Sequence, residues 1–187
     1  MVKSFVYLID LHFVICTAYN PVMPILDQNS LEFISRGTEY TRRVGIRLGT
    51  ILKNGDIICL EGDLGSGKTT LVQGMAAGWG SLDQVTSPTF VLVNLYRRLD
   101  GGRFHHLDAY RLKDAKEAEE LDLETYIGNG PLVVEWAERI KEALPADHLW
   151  VSLRLVDVDQ RDLIFTARGP HYKSLLDNFR MRIYGGL

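Results

Sequence analysis

The chain has 187 residues, 46% of them hydrophobic and 24% charged, with a formal net charge of −3. That length and apolar share bury one sizeable core and hardly two, so one main domain is expected. The slight negative charge gives no global attraction to nucleic acid, and Cys16 and Cys59, far apart in sequence with one inside an expected central strand, indicate neither a disulfide framework nor a zinc site, which leaves a reducing compartment as the simpler setting.

Residues 1–24 read as an extension. Lys3 followed by Phe5-Val6-Tyr7-Leu8-Ile9 and Leu11-His12-Phe13-Val14-Ile15 imitates a secretory signal. Asp10 and His12 interrupt the apolar run, which is also too short to span a bilayer. Met23 stands just ahead of Asp27-Gln28-Asn29-Ser30, where domain-like sequence begins, so the expectation is an overextended gene start.

A brief strand is then predicted at Leu31-Glu32-Phe33-Ile34, and a helix over 38–52. Thr41, Val44, Leu48 and Ile51 recur on one face of that helix, with Arg42, Arg43 and Arg47 turned to solvent. After Asn54-Gly55 comes Asp56-Ile57-Ile58-Cys59-Leu60-Glu61, a short apolar run that suits a buried strand. Gly62-Asp63-Leu64-Gly65-Ser66-Gly67-Lys68-Thr69 follows at once, a complete G-x-x-x-x-G-K-T run. Such a loop wraps backbone N–H groups around a phosphate chain, aims its lysine at the β and γ phosphates and sets its hydroxyl beside Mg²⁺. Leu71, Val72, Met75 and Ala76 share one face of the helix predicted next, which ends near Gly78 and Gly80. Strand, glycine loop and helix N-terminus are the context this motif requires, because unsatisfied N–H groups and the helix dipole favour an anion there. The expected ligand is Mg–nucleoside triphosphate, on Leu64, Gly65, Ser66, Gly67, Lys68, Thr69 and Thr70.

The second half alternates further. Val91-Leu92-Val93-Asn94-Leu95-Tyr96 and Arg103-Phe104-His105-His106-Leu107 are joined across Asp100-Gly101-Gly102 as a β-hairpin. An acidic helix is expected over 114–121, a buried strand at Pro131-Leu132-Val133-Val134-Glu135, and an antiparallel pair at Trp150–Leu155 and Asp162–Phe165. A last helix runs over 171–183; with Arg168, Lys173, Arg180 and Arg182 its segment is locally basic, read as a solvated helix face. The expected fold is α/β, a three-layer arrangement with a mostly parallel sheet and antiparallel additions. Residues 25–170 form the nucleotide-binding domain and 171–187 a helical tail.

Hydrolysis needs more than a phosphate cradle: a carboxylate near the metal and a group that orients the attacking water. Three strings offer them. Val85-Thr86-Ser87-Pro88-Thr89-Phe90 is hydroxyl-rich and stiffened by proline, where γ-phosphate-sensing segments fall in related chemistry. Asp108, in His106-Leu107-Asp108-Ala109-Tyr110-Arg111, follows a strand, and Glu135 ends an apolar strand, where open α/β sheets gather ligands. For both, the bland alternative is a helix cap or a surface carboxylate.

Two rival functions share the loop. A small-metabolite kinase needs an arginine-bearing lid, for which Arg97, Arg98 and Arg103 are candidates on too short a hairpin. A nucleotide-gated binding module with negligible hydrolysis needs only that ATP select a conformation.

In order, Gly62 to Thr70, Ser87-Pro88-Thr89-Phe90, His106 to Leu112 and Val134-Glu135-Trp136 resemble the TsaE (YjeE) family over about residues 25–155. The resemblance implies a P-loop ATPase acting in threonylcarbamoyladenosine synthesis at tRNA position 37, with ATP and Mg²⁺ as cofactors, in the cytoplasm. It implies TsaD and TsaB as partners, tRNA only indirectly, and no membrane. Lys68, Asp108 and Glu135 would be the catalytic residues, Thr69 and Glu135 the metal ligands, and Thr38 would lie near the base. Ser87 and Thr89 would form a nucleotide-sensing switch, and Trp136 would pack by the nucleotide or a partner. Ser66 replaces a common alanine, Ala109 a bulkier apolar residue and Ala137 a frequent proline, none of which removes a charged group.

Overall fold

The computed structural model describes residues 28–86 and 92–184. The N-terminal extension, Cys16, Ser87 and Thr89 lie outside the described residues.

Strand β1 (Ser30–Arg36) leads into helix α1 (Thr38–Gly49), and β2 (Ile57–Glu61) into α2 (Lys68–Trp79). The hairpin β3 (Val93–Arg97) and β4 (Arg103–Asp108) follows, then two short helices, α3 (Ala115–Glu119) and α4 (Leu123–Asn129). β5 (Leu132–Glu135), β6 (His148–Asp157), β7 (Gln160–Arg168) and α5 (Pro170–Tyr184) complete the chain. Three-residue-turn helices cover Ala109–Arg111 and Ala137–Ala143, the latter kinked at Ile140.

The strands form one seven-stranded sheet in the order β1-β7-β6-β2-β5-β4-β3. Its centre, β6-β2-β5-β4, is parallel, while β7, β1 and β3 add antiparallel edges. β2 is innermost by chemistry as well as by position. Ile57, Ile58, Cys59 and Leu60 are at most 3% exposed, as expected of a parallel strand covered on both faces, which must be apolar without alternation. Burial pushes the Cys59 thiol well above its ordinary pKa, so it is an inert core residue.

Helix α1 stops earlier than its apolar pattern. Thr50 N–H donates to Ile46 O and its hydroxyl to Arg47 O, and the buried Ile51 and Leu52 continue in a tighter turn, their N–H groups donating to Leu48 O and Gly49 O. Helix α4 escapes sequence reading because it is only seven residues long and starts after Asp122 in the left-handed region (φ 48°).

A glycine seam sets the site's geometry. A Cβ at Gly49 would lie 2.0 Å from Met75 O, and one at Gly78 2.0 Å from Ile46 O. Gly45 and Gly74 are as tightly faced, by Leu71 O and Arg42 O. Only hydrogen at these four positions lets α1 and α2 approach backbone to backbone, which brings the N-terminal end of α1 beside the N-terminus of α2.

Helix α5 packs on β7 and α1 through Tyr172, Leu175, Leu176 and Phe179. The Tyr172 hydroxyl accepts the Ile57 N–H at 2.7 Å, capping the start of the central strand. Burial, above all, raises the Tyr172 pKa to about 12. A folded-state pKa above the unfolded value means that the stabilisation is full below the ordinary tyrosine pKa and fades as pH rises towards 12. The urea midpoint is therefore expected to fall above about pH 10, and Tyr172→Phe should flatten that alkaline limb while costing roughly 1–3 kcal/mol at neutral pH for the unpaired Ile57 N–H.

Candidate functional site

The site lies where the parallel strands end at one edge of the sheet, the usual ligand edge of an open α/β sheet. β2 runs out at Glu61, and Gly62 turns the chain at φ 145°; a Cβ there would meet Leu153 O of β6 at 2.3 Å, so no other residue passes. Ser66 N–H bonds to Asp63 O at 3.1 Å, and Gly67, left-handed at φ 103°, caps α2. The first helical hydrogen bond runs from Leu71 N–H to Gly67 O, so the N–H groups of Lys68, Thr69 and Thr70 have no helical acceptor. The loop is thus an open ring of donors at a helix N-terminus. Leu64, 86% exposed, lends only its backbone. The Ser66 hydroxyl is buried with no hydrogen-bond partner among the described residues, an orphan a phosphate oxygen would satisfy.

Lys68 is 4% exposed and folds back onto the loop. Its Nζ donates to Gly62 O at 2.6 Å and Asp63 O at 3.0 Å and sits 3.6 Å from the centre of the Trp136 ring. Burial lowers the Lys68 pKa, and the nearby Glu135 carboxylate opposes that shift most strongly. Trp136 is half-buried and held in the left-handed region at φ 59°, a conformation costing an ordinary residue about 1–3 kcal/mol. That bend lets the chain leave β5 with Glu135 on one side and the Trp136 ring under Lys68, tilted against Tyr110 with ring centroids 4.9 Å apart.

Strand register assembles the carboxylates. Asp108 of β4 and Glu135 of β5 are Cα partners across a parallel pair, so their side chains leave the same face. Glu135, 2% exposed, accepts the Thr69 hydroxyl at Oε2 (3.0 Å) and is hydrogen-bonded through Oε1 to His106 Nε2 (2.9 Å). Asp108 is half-buried, its Oδ1 accepts Tyr110 N–H at 3.0 Å, and burial followed by the Glu135 charge raises its pKa. The helix-cap role open to Asp108 is therefore real and uses one of its oxygens. Burial also raises the Glu138 pKa, and its Oε2 is buried without a partner among the described residues.

No three His, Cys, Asp or Glu side chains converge as a metal cluster among the described residues. That donor set still fits Mg²⁺, which takes one or two protein oxygens and completes its shell with phosphate oxygens and water. Thr69 and Glu135, paired at 3.0 Å beside the phosphate loop, are such a pair.

Lys68, Thr69, Asp108 and Glu135 are brought together as the sequence predicts, with Gly65, Ser66, Gly67 and Thr70 in the loop and its first helical turn. Thr38 is exposed on the first turn of α1; it is Thr41, one turn on, that packs near Gly67. The hairpin arginines do not reach for the loop: Arg97 pairs with Asp83, and Arg98 with Asp100 at 2.6 Å while covering Trp79. Sequence reading missed His106, Tyr96 and Arg161. His106 was visible inside the His-Leu-Asp string, two residues before Asp108 and so on the same strand face. Arg161, whose side chain lies over Gly67, carried no local signal, because only β7 pairing brings it there.

Comparison with known proteins gives one answer. The family model for threonylcarbamoyl adenosine biosynthesis protein TsaE matches residues 35–163. The Bacillus subtilis tRNA threonylcarbamoyladenosine biosynthesis protein TsaE is 40% identical over 141 residues, covering 74% of this chain and 87% of its own. The Treponema pallidum protein of the same name is 35% identical over 133 residues, covering 70% and 96%. The crystal structure of Bacillus subtilis YdiB superposes with a TM-score of 0.69 at 32% identity, over 82% of this chain and 96% of that one. With the family's motifs assembled at one sheet edge and its members matched across most of both chains, this chain belongs to the TsaE family.

Proposed function

We propose that the protein is an ATPase required for N6-threonylcarbamoyladenosine formation at tRNA position 37, hydrolysing Mg–ATP to reset a TsaB–TsaD complex. The observation that carries this reading is the G-x-x-x-x-G-K-T loop at the end of β2, with the Thr69–Glu135 pair beside Lys68. The names of the Bacillus subtilis, Streptomyces coelicolor and Treponema pallidum relatives, each a tRNA threonylcarbamoyladenosine biosynthesis protein, support the pathway.

In this reading the backbone of Leu64 to Thr70 holds the phosphates, and the Lys68 ammonium leaves the Gly62 and Asp63 carbonyls for the β and γ oxygens. Thr69 and Glu135 hold Mg²⁺, and Asp108 orients the attacking water. Held there, the metal would neutralise the charge that develops on the transferred phosphoryl group. Thr38 flanks the base, and Ser87 and Thr89 respond to the γ phosphate. TsaD and TsaB are the partners, tRNA is met only through them, and the setting is the cytoplasm. No helix of the described residues is long and apolar enough to cross a membrane.

The test is ATP hydrolysis by the purified protein with and without the TsaB and TsaD proteins of the same organism. Turnover that rises with the partners is expected. Turnover indifferent to them, with phosphate appearing on an added metabolite, would make it a kinase; nucleotide binding without turnover would make it a gated binding module.

A further inference from the structure

Six side chains of the β3-β4-β5 ladder lie on one sheet face, since Asn94 pairs with His106, Tyr96 with Phe104, and Asp108 with Glu135. A hydrogen-bonded chain crosses that face. Glu135 Oε1 meets His106 Nε2 at 2.9 Å, His106 Nδ1 meets the Tyr96 hydroxyl at 3.3 Å, and that hydroxyl donates to Thr86 O at 3.1 Å. Asn94 Nδ2 donates to both the Tyr96 hydroxyl (3.2 Å) and Thr86 O (3.3 Å). His106 is fully buried, Glu135 2% and Tyr96 4% exposed.

Apolar side chains would fill this volume at less desolvation cost, and a partly satisfied buried network is worse than none. Its geometry has one evident consequence. With Oε1 anchored by His106, the Glu135 carboxylate cannot spin about its last torsion, and Oε2 alone is presented to Thr69 and the loop. Carboxylates that bind metals are commonly fixed by such outer partners.

We propose that His106 and Tyr96 are positioning residues for the cation site, acting through Glu135 and tying its orientation to the Thr86 backbone on the α2–β3 connection. This rests on the reading that Thr69 and Glu135 hold Mg²⁺. Neither His106 nor Tyr96 touches the nucleotide; they set how much it gains from the metal.

The experiment is a binding titration of a fluorescent ATP analogue, first in EDTA and then across a Mg²⁺ series, for the wild type, Tyr96→Phe, His106→Gln and His106→Leu. Tyr96→Phe removes only a hydroxyl and guards against a His106 variant that does not fold. For His106→Leu the half-saturating Mg²⁺ concentration should rise about tenfold or more, the scale for outer partners of metal ligands, while affinity in EDTA stays within about twofold of wild type. Tyr96→Phe should shift it in the same direction by less, and His106→Gln, whose amide reaches the Nε2 position, should recover part of the loss. An unchanged Mg²⁺ midpoint, or equal losses with and without the metal, would overturn the proposal and leave the network a core feature. A wild type that binds no nucleotide, or binds it equally in EDTA, would instead overturn the Mg–ATP reading.

Discussion

Lys68→Ala is expected to abolish measurable ATP hydrolysis while leaving the nucleotide-free fold at least as stable as the wild type. The ammonium is the cation seated within the phosphate loop, and it is 4% exposed, so water supplies no substitute charge. Removing one preorganised charge-stabilising donor costs roughly 10²–10³ in turnover. Losing a charge-assisted contact of about 1.5–3 kcal/mol weakens ATP binding roughly 10- to 150-fold. Stability should behave differently. Without ligand, Lys68 is a buried cation whose pKa is lowered by desolvation, held by two carbonyls and the Trp136 face. Its removal relieves that cost, so the thermal midpoint should hold or rise, the usual trade between stability and function. Steady-state kinetics beside thermal unfolding checks both halves, and a Lys68→Ala protein that hydrolyses ATP at the wild-type rate would dismiss the loop as the reaction site. Lys68→Arg should not rescue activity, since a forked guanidinium does not fit the space between Gly62, Asp63 and Trp136.

The second large effect is expected at Glu135, whose replacement by alanine should impair Mg²⁺-dependent turnover more than nucleotide binding. On the proposed reading the phosphate contacts would come from the loop backbone and Lys68, so affinity should survive within roughly tenfold, whereas the metal would lose its protein carboxylate and turnover should fall by about 10²-fold. Glu135→Ala also leaves the fully buried His106 Nε2 without its partner, at roughly 1–3 kcal/mol for an unpaired buried group, and frees the half-buried Thr69 hydroxyl. Glu135→Gln separates the two consequences: it keeps the shape and a hydrogen-bonding amide but not the charge. Turnover in Glu135→Gln should be as poor as in Glu135→Ala, with most of the stability recovered. Calorimetric ATP binding together with kcat and KM across a Mg²⁺ series decides it; unchanged turnover in Glu135→Ala would remove this residue from the mechanism.

Much of this was legible in the chain itself, and for stated reasons. Strand β2 and the loop after it declare themselves because a buried parallel strand must be uniformly apolar, and because only glycine turns at Gly62, Gly65 and Gly67, each at positive φ. Helices α1, α2 and α5, the β3–β4 hairpin and the β6–β7 pair follow from 3.6- and 2-residue periods, which are local properties. Lys68, Thr69, Asp108 and Glu135 could be named in advance because each ends or follows a recognisable strand or loop.

Contacts made by pairing and packing left no such trace. Gly45-x-x-x-Gly49 and Gly74-x-x-x-Gly78 are visible strings, yet that they face one another, and so align α1 with the phosphate loop, depends on how two helices dock. His106 and Tyr96 become partners of Glu135 only through the register of three strands, in which a one-residue slip would turn every one of them to the opposite face. Composition, periodicity and the glycine loop determined the fold class and the expectation of a phosphate-bearing ligand; the tertiary structure decided which carboxylate oxygen faces Thr69 and what holds it there, because orientation depends on residues far apart in the chain and adjacent only across the sheet.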